Sequence, residues 1–393
     1  MYIITYCRVC HSRNLTELIS FGNLYLSDFT TDDKKPPQYP LVLMLCPDCY
    51  LVQLQHNAPA ALLYSENYGY KSGINQTMRD HLQGIAESAV KKLGKRDKTV
   101  TVVDIGANDG TLLRYYDNDV YRIGVDPVKK FREECSKYAD IVISDFFTYK
   151  AYKEAVGDKK ADIITAISCF YDMEDPNTFV ADIVKILDPE GIFIIQQNYL
   201  KSMLEQNAFD NIVHEHLEYY SLLSLQALLK RHGLEVFAVE TNDLNGGSFR
   251  TYIAYKGKRQ IEKSVKSMEV AETAMKLHTK EVYEAFAKRV KKEAKKTVAF
   301  IKEQIDKGKV VYLYGASTRG NTLLQFYGLD DQLIKYAVER NPEKWGKRIA
   351  SVNIPIISEE QARKEKPDYM LVLPWFFKEE FLQREKKYFF KKG

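Results

Sequence analysis

The sequence predicts an α/β chain in three parts: a small N-terminal four-cysteine zinc-binding module over residues 1–70, a central Rossmann-like unit over 71–245, and a second Rossmann-like unit over 246–393. Three observations predict it. Four of the six cysteines stand as two CxxC pairs near the start of the chain. From Val100 short apolar runs alternate with helical stretches, the pattern of a parallel, doubly wound sheet. At Val310 a strand, a glycine turn and a helix start appear a second time. The 393 residues agree with two to three domains at roughly 150 residues each. Apolar and charged contents of 45% and 28% are those of a folded globular chain rather than a disordered or fibrous one.

Cys7 and Cys10, and then Cys46 and Cys49, each place two thiolates one knuckle turn apart, so four sulfurs can share one tetrahedral ion. Four ligands saturate zinc, which makes the expected role structural. A redox CxxC would need a βαβ setting that is missing here. The segment between the pairs holds Pro36-Pro37 and an apolar run from Leu41 to Leu45, which predicts a small sheet. Zinc ribbons also occur in nucleic-acid binders, and that alternative stays open. Against it stand a net charge of only +4, from 57 basic and 53 acidic residues, and the scarcity of basic residues near the module. No apolar run approaches the ~18 residues of a membrane span and no cleavable leader opens the chain, so the expectation is a cytoplasmic protein without a membrane partner.

In the central unit the first strand, VTVVDI, runs into Asp104-Ile105-Gly106-Ala107-Asn108-Asp109-Gly110, a turn that opens a helix. Such a glycine turn alone is a weak signal, since any tight strand-to-helix turn favours glycine. The second strand ends at Asp126, about 20 residues on, where a carboxylate can accept from both ribose hydroxyls. Asp145-Phe146 after the third strand suits an adenine amino group and ring face, and Ser168 closes the fourth strand. Asp104 ahead of the glycine, and Asn108 where a pyrophosphate would require glycine, favour a cationic, phosphate-free nucleoside over NAD. That ligand is S-adenosylmethionine, and the pattern resembles class I methyltransferases; a Rossmann-like sheet that binds NAD or no ligand stays open as the alternative. Asp104, Gly106, Asn108, Asp109, Gly110, Asp126, Asp145, Phe146 and Ser168 are therefore the candidate donor-binding residues.

Downstream, His214-Glu215-His216 puts two histidines around a carboxylate. A metal pair is one reading, but no further ligands follow at a recognisable spacing. His216 is the stronger candidate base, because imidazole titrates near neutrality and Glu215 can orient it; His214 suits packing but stands with them among the candidate catalytic residues. Asn245, Ser248 and Arg250 lie in a donor-rich turn that either closes over a ligand or forms a glycine hairpin. Lysines over 276–309 alternate with apolar residues at steps of three and four, which predicts a long amphipathic helix. After it, Gly315-Ala316-Ser317-Thr318-Arg319-Gly320-Asn321 could cradle a diphosphate with backbone amides, Ser317, Thr318, Arg319 and Asn321. Glu339 repeats the acidic position of the first unit.

Taken in order, the cysteine module, DxGxNxG, HEH, NGGSxR and GASTRGN resemble the sugar C-methyltransferases of deoxysugar pathways, which methylate C-3 of TDP-linked 4-keto sugars. The resemblance spans essentially the whole chain. It implies a zinc module, a central S-adenosylmethionine domain and a C-terminal Rossmann-like domain that helps to hold a small nucleotide-sugar substrate, in a monomer or weak homo-oligomer. It assigns His216 and Glu215 to a catalytic pair, and Tyr68 and Tyr70 to a segment that reaches the active site. Three positions depart from the family pattern: Val213 replaces a Tyr before HEH, Asp172 a His after the fourth strand, and Phe376 the Asn that follows Trp. Methylation of oxygen or nitrogen on another nucleotide-linked metabolite, or a zinc-ribbon RNA-binding role, are the alternative functions.

Overall fold

Strands that read as unbroken apolar runs are buried on both faces, and here they assemble a seven-stranded central sheet. The structure, a computed structural model, describes residues 2–63 and 70–388. The spatial order is Leu234–Asn242, Ser248–Tyr255, Leu187–Asn198, Ala161–Ile167, Thr101–Ile105, Tyr121–Val125, Ile141–Ile143. The last five run parallel, while Ser248–Tyr255 is antiparallel to both of its neighbours. This is the sheet of a class I methyltransferase.

One expected boundary falls inside this sheet. Ser248–Tyr255 lies between two central strands, so a division at 245/246 would cut the sheet. The NGG segment is a hairpin turn, in which Asn245, Gly246 and Gly247 all take positive φ (56°, 82° and 100°). A glycine-rich turn between apolar runs looks the same in sequence whether it joins two strands or two domains.

The cysteine module carries the sheet expected between its two pairs, Thr16–Tyr25 against Gln38–Leu45 and then Val52–Leu54. A fourth strand, Glu218–Tyr219, comes from the segment just after HEH. The C-terminal sheet has four parallel strands, Tyr369–Val372, Val311–Tyr314, Ala337–Glu339 and Ile354–Ser358. It continues through Arg348–Ile349 to Phe29–Thr30, a strand of the N-terminal module. The three units are thus interlocked through shared sheets.

The long helix spans Lys280–Asp306 and buries Phe286, Val290, Ala294 and Ile301 along one stripe. It begins later than its lysine-rich sequence because Lys276, at φ 57°, ends the preceding helix Lys263–Met275. Among the described residues no helix is long and apolar enough to cross a membrane.

Candidate active site

Each cysteine knuckle closes on its own backbone. His11 N donates to Cys7 O at 2.9 Å and Tyr50 N to Cys46 O at 2.8 Å, with His11 and Tyr50 both left-handed (φ 62° and 64°). The four sulfurs lie within 4.8 Å of one another, the nearest pairs being Cys7 to Cys49 at 3.4 Å and Cys10 to Cys46 at 3.5 Å. These separations exceed a disulfide bond of about 2.05 Å and approach the ~3.8 Å edge of a tetrahedron built on Zn–S bonds of about 2.3 Å. The donor set fits zinc with no coordination position left for chemistry. Asn177 Nδ2 donates to Arg8 O at 2.7 Å and Val9 O at 3.0 Å, which ties the first knuckle to the helix Pro176–Ile186 of the central unit.

At the carboxyl ends of the parallel strands, where doubly wound sheets bind ligands, lies a cavity of about 450 Å³. Asp104, Gly106, Asn108, Asp126, Phe146 and Ser168 line it, with Phe147 and Cys169 added. Asp126 accepts from Asn108 N and Val128 N, both at 2.8 Å, one on each oxygen. Its remaining lone pairs are open to further donors, the hydroxyl pair of a ribose among them. Asp104 accepts from Thr165 Oγ1 at 2.6 Å, and burial lifts its pKa to about 7. A cationic amino group in the cavity would draw this carboxyl back to its ionised form. At Gly106 (φ 76°) an added Cβ would sit 3.0 Å from Cys169 Sγ, so the turn and the next loop close the floor together. The size and these donors and acceptors fit S-adenosylmethionine.

The other three donor-site candidates lie outside the lining. Asp145 accepts from Phe146 N at 2.7 Å. Gly110 (φ 77°) serves close packing, a Cβ there falling 3.0 Å from Cys135 Cα. Asp109 accepts from Gly73 N at 2.9 Å, and Asn108 Oδ1 from Ser72 N at 3.0 Å. Asn108 and Asp109 thereby pin the segment 70–74, whose Tyr70 and Ser72 line this cavity and a second one. Tyr68 lies outside the described residues.

The HEH turn divides its side chains among three neighbours. His214 Nε2 is 3.1 Å from Tyr39 O in the cysteine module, and burial holds its pKa down at about 4. His216 Nδ1 is 2.8 Å from Asn211 O. A carbonyl only accepts, so Nδ1 carries the hydrogen and Nε2 keeps the lone pair. Burial, and then the Arg319 cation, push the His216 pKa down to about 3, which keeps the ring neutral. The Tyr171 ring packs edge-on against it at 4.3 Å. Glu215 instead faces the donor cavity, as does Asp172, and burial raises the Glu215 pKa to about 7. The two histidines point to different partners, and the only metal-competent cluster among the described residues is that of the four cysteines.

The second cavity, about 220 Å³, sits on the C-terminal unit and is lined by Asn245, Ser317, Thr318, Arg319 and Glu339, with Tyr70 and Ser72 shared. Arg319 Nη2 donates to Asp210 Oδ2 at 2.6 Å and to Asn245 O at 3.0 Å, and its guanidinium stacks 4.8 Å over Phe376. Its Nε and Nη1 are buried without a hydrogen-bond partner. Ser317 Oγ caps the helix Thr318–Tyr327 by accepting from Gly320 N. Glu339 is taken up by the amides of Ala316, Arg340 and Asn341 at 2.8–3.0 Å. Three substrate-site candidates sit elsewhere. Asn321 is buried against Ser351, Ser248 Oγ donates to Leu244 O at 2.9 Å inside the hairpin, and Arg250 Nε donates to Gln196 Oε1 at 3.1 Å within the central sheet. Asp210, Asn211 and Tyr171 went unmarked in the sequence, because their importance comes from partners remote in the chain.

Residues 7–64 match a zinc binding domain family, 78–239 a methyltransferase domain family, and 243–393 the C-methyltransferase C-terminal domain family. The chain is 29% identical over 389 residues to the C-methyltransferase NovU of Streptomyces niveus, covering 97% of this chain and 92% of that one. Among solved structures, the plantazolicin methyltransferase BpumL in complex with SAH is similar at 14% identity (TM-score 0.36; 45% of this chain, 84% of that one). The N-methyltransferase NodS of Bradyrhizobium japonicum is similar at 11% identity (TM-score 0.35; 46% of this chain, 98% of that one).

Proposed function

We propose that the chain, which is an S-adenosylmethionine-dependent C-methyltransferase, methylates a keto sugar carried on a nucleoside diphosphate, with Glu215 and His216 as the acid–base pair. The observation that carries the substrate class is Arg319. Its Nε and Nη1 are buried without a hydrogen-bond partner, beside a cavity that Arg319 lines and that shares the Tyr70–Ser72 wall with the donor cavity. A buried guanidinium with free donors suits a phosphate. A sugar nucleotide seated there by its diphosphate would extend its sugar past Tyr70 toward Glu215. We further place the enzyme in the cytoplasm, as a monomer or weak homo-oligomer that binds neither nucleic acid nor membrane.

Carbon becomes nucleophilic only when a proton next to a carbonyl is removed, so the site needs a base. Glu215 is the favoured acceptor, because it lines the donor cavity and its pKa of about 7 matches working pH. His216 stands next to it with Nε2 unprotonated and is the second acceptor of the pair. S-adenosylmethionine supplies the electrophilic methyl group. The residues around the cavity align the two ligands and exclude water.

The test is solvent deuterium exchange at the carbon next to the ketone, with S-adenosylhomocysteine in place of the donor and a panel of TDP-, UDP-, GDP- and CDP-linked keto sugars. Exchange in one member identifies the carrier and supports the carbanion route. Tight S-adenosylhomocysteine binding with no sugar nucleotide bound or exchanged would overturn the substrate class.

A further inference from the structure

The anion seat and the acid–base turn are one hydrogen-bonded unit, although 103 positions separate Arg319 from His216. Asp210 joins them. Its Oδ2 accepts from Arg319 Nη2 at 2.6 Å and its Oδ1 from Trp375 Nε1 at 3.4 Å, so two residues of the C-terminal unit grip one buried carboxylate. Asp210 belongs to the short turn Phe209–Asn211, and the carbonyl of Asn211 is the acceptor that fixes His216 Nδ1. The Asp210 carboxylate and the Asp210–Asn211 backbone thus link Arg319 to the imidazole.

Resting on the nucleotide-sugar reading, we propose that Asp210 and Arg319 are positioning residues that let an anion bound in the C-terminal cavity activate the HEH turn. Two physical effects act in the same direction. An anion on the free Nε and Nη1 of Arg319 locks the guanidinium, and with it Asp210, the Phe209–Asn211 turn and the His216 tautomer. The same anion also offsets the Arg319 charge, which in the empty seat opposes protonation of His216. Of the described groups that touch the imidazole, the Asn211 carbonyl and the Tyr171 ring carry no positive charge, so neither replaces that cation. The diphosphate thus promotes the chemical step as well as binding, a use of remote binding energy at the reacting centre.

The experiment cuts the substrate in two. Deuterium exchange is followed in a keto deoxysugar that lacks its nucleotide, with S-adenosylhomocysteine bound, at rising concentrations of inorganic pyrophosphate. In the wild-type enzyme pyrophosphate should accelerate exchange at least tenfold. Arg319→Gln and Asp210→Asn should show slow exchange that pyrophosphate leaves unchanged, with S-adenosylhomocysteine affinity intact as the check on folding. Arg319→Lys keeps the charge but loses the fork and should recover only part of the acceleration. Pyrophosphate that binds the wild type without accelerating exchange, or full acceleration in folded Asp210→Asn, would overturn the coupling. Failure of intact sugar nucleotides to exchange would instead overturn the substrate reading beneath it.

Discussion

Replacing Glu215 by Gln should stabilise the protein at alkaline pH while removing its chemistry. In the fold the carboxyl has a pKa of about 7, against 4.5 for an unperturbed glutamate, because burial disfavours the charge. The folded state therefore binds this proton more tightly than the unfolded chain. The contribution vanishes below pH 4.5, where both states are protonated, and stability falls as pH rises from 4.5 to 7. At about 1.4 kcal/mol per tenfold, the loss reaches a ceiling of about 3 kcal/mol above pH 7, reduced by whatever water reaches the carboxylate across the cavity. Glutamine carries no charge and escapes this loss. Urea unfolding at pH 5 and pH 8 should thus show Glu215→Gln gaining up to about 2 kcal/mol on the wild type between the two conditions. The rate runs the opposite way. Wild-type kcat/KM should rise through pH 7 as the base ionises, and the variant should lose that limb along with roughly 10²- to 10⁴-fold in rate. A variant with the same pH dependence of stability as the wild type, or with an intact rate limb near pH 7, would refute the assignment and return the proton to His216.

Asp126→Ala removes two charge-assisted backbone contacts and the ribose acceptor, and calorimetry should show S-adenosylhomocysteine binding about 10- to 100-fold more weakly; unchanged affinity would place the ribose elsewhere. At Gly315 (φ 93°) a Cβ would lie 2.7 Å from the Pro374 ring, so Gly315→Ala should cost roughly 1–3 kcal/mol of stability and impair sugar-nucleotide binding while sparing the donor site. An unaltered sugar-nucleotide affinity would separate this turn from the seat. Cys7→Ser should lose bound zinc by metal analysis and also lose methylation, because the cysteine module's sheet holds Glu218–Tyr219; full activity in a zinc-free variant would break that link.

How legible each feature was depended on how local its cause is. The cysteine pairs and the DxGxNxG turn are short motifs whose chemistry lies in their own spacing, and Cys7, Cys10, Cys46 and Cys49 converge as their pattern requires. Arg250 misled because NGGSxR reads as an open, donor-rich loop. In the fold its guanidinium is enclosed by Tyr252 of its own strand and by Gln196 and Glu240, which only the antiparallel register brings beside it. Glu339 shares the spacing of a ribose-binding acid, yet three backbone amides already take up three of its about four acceptor sites. Spacing reported where a carboxylate stands and not whether its lone pairs are free.

The HEH turn explains why a methyltransferase needs its two extra units. Leu217 N donates to Tyr171 O at 2.8 Å on the central unit, while Leu217 O accepts from Leu54 N at 2.9 Å on the cysteine module. Glu218–Tyr219 then pairs with Val52–Leu54, and Asp210, just upstream, is held by Arg319 and Trp375 of the C-terminal unit. A loop of this length cannot orient two side chains by itself, since its backbone groups need partners that its own sequence does not supply. Each unit provides one anchor, and the zinc keeps the first of them folded. Removing any anchor should therefore impair proton transfer more than donor binding, because the central unit supplies most of the lining of the S-adenosylmethionine cavity.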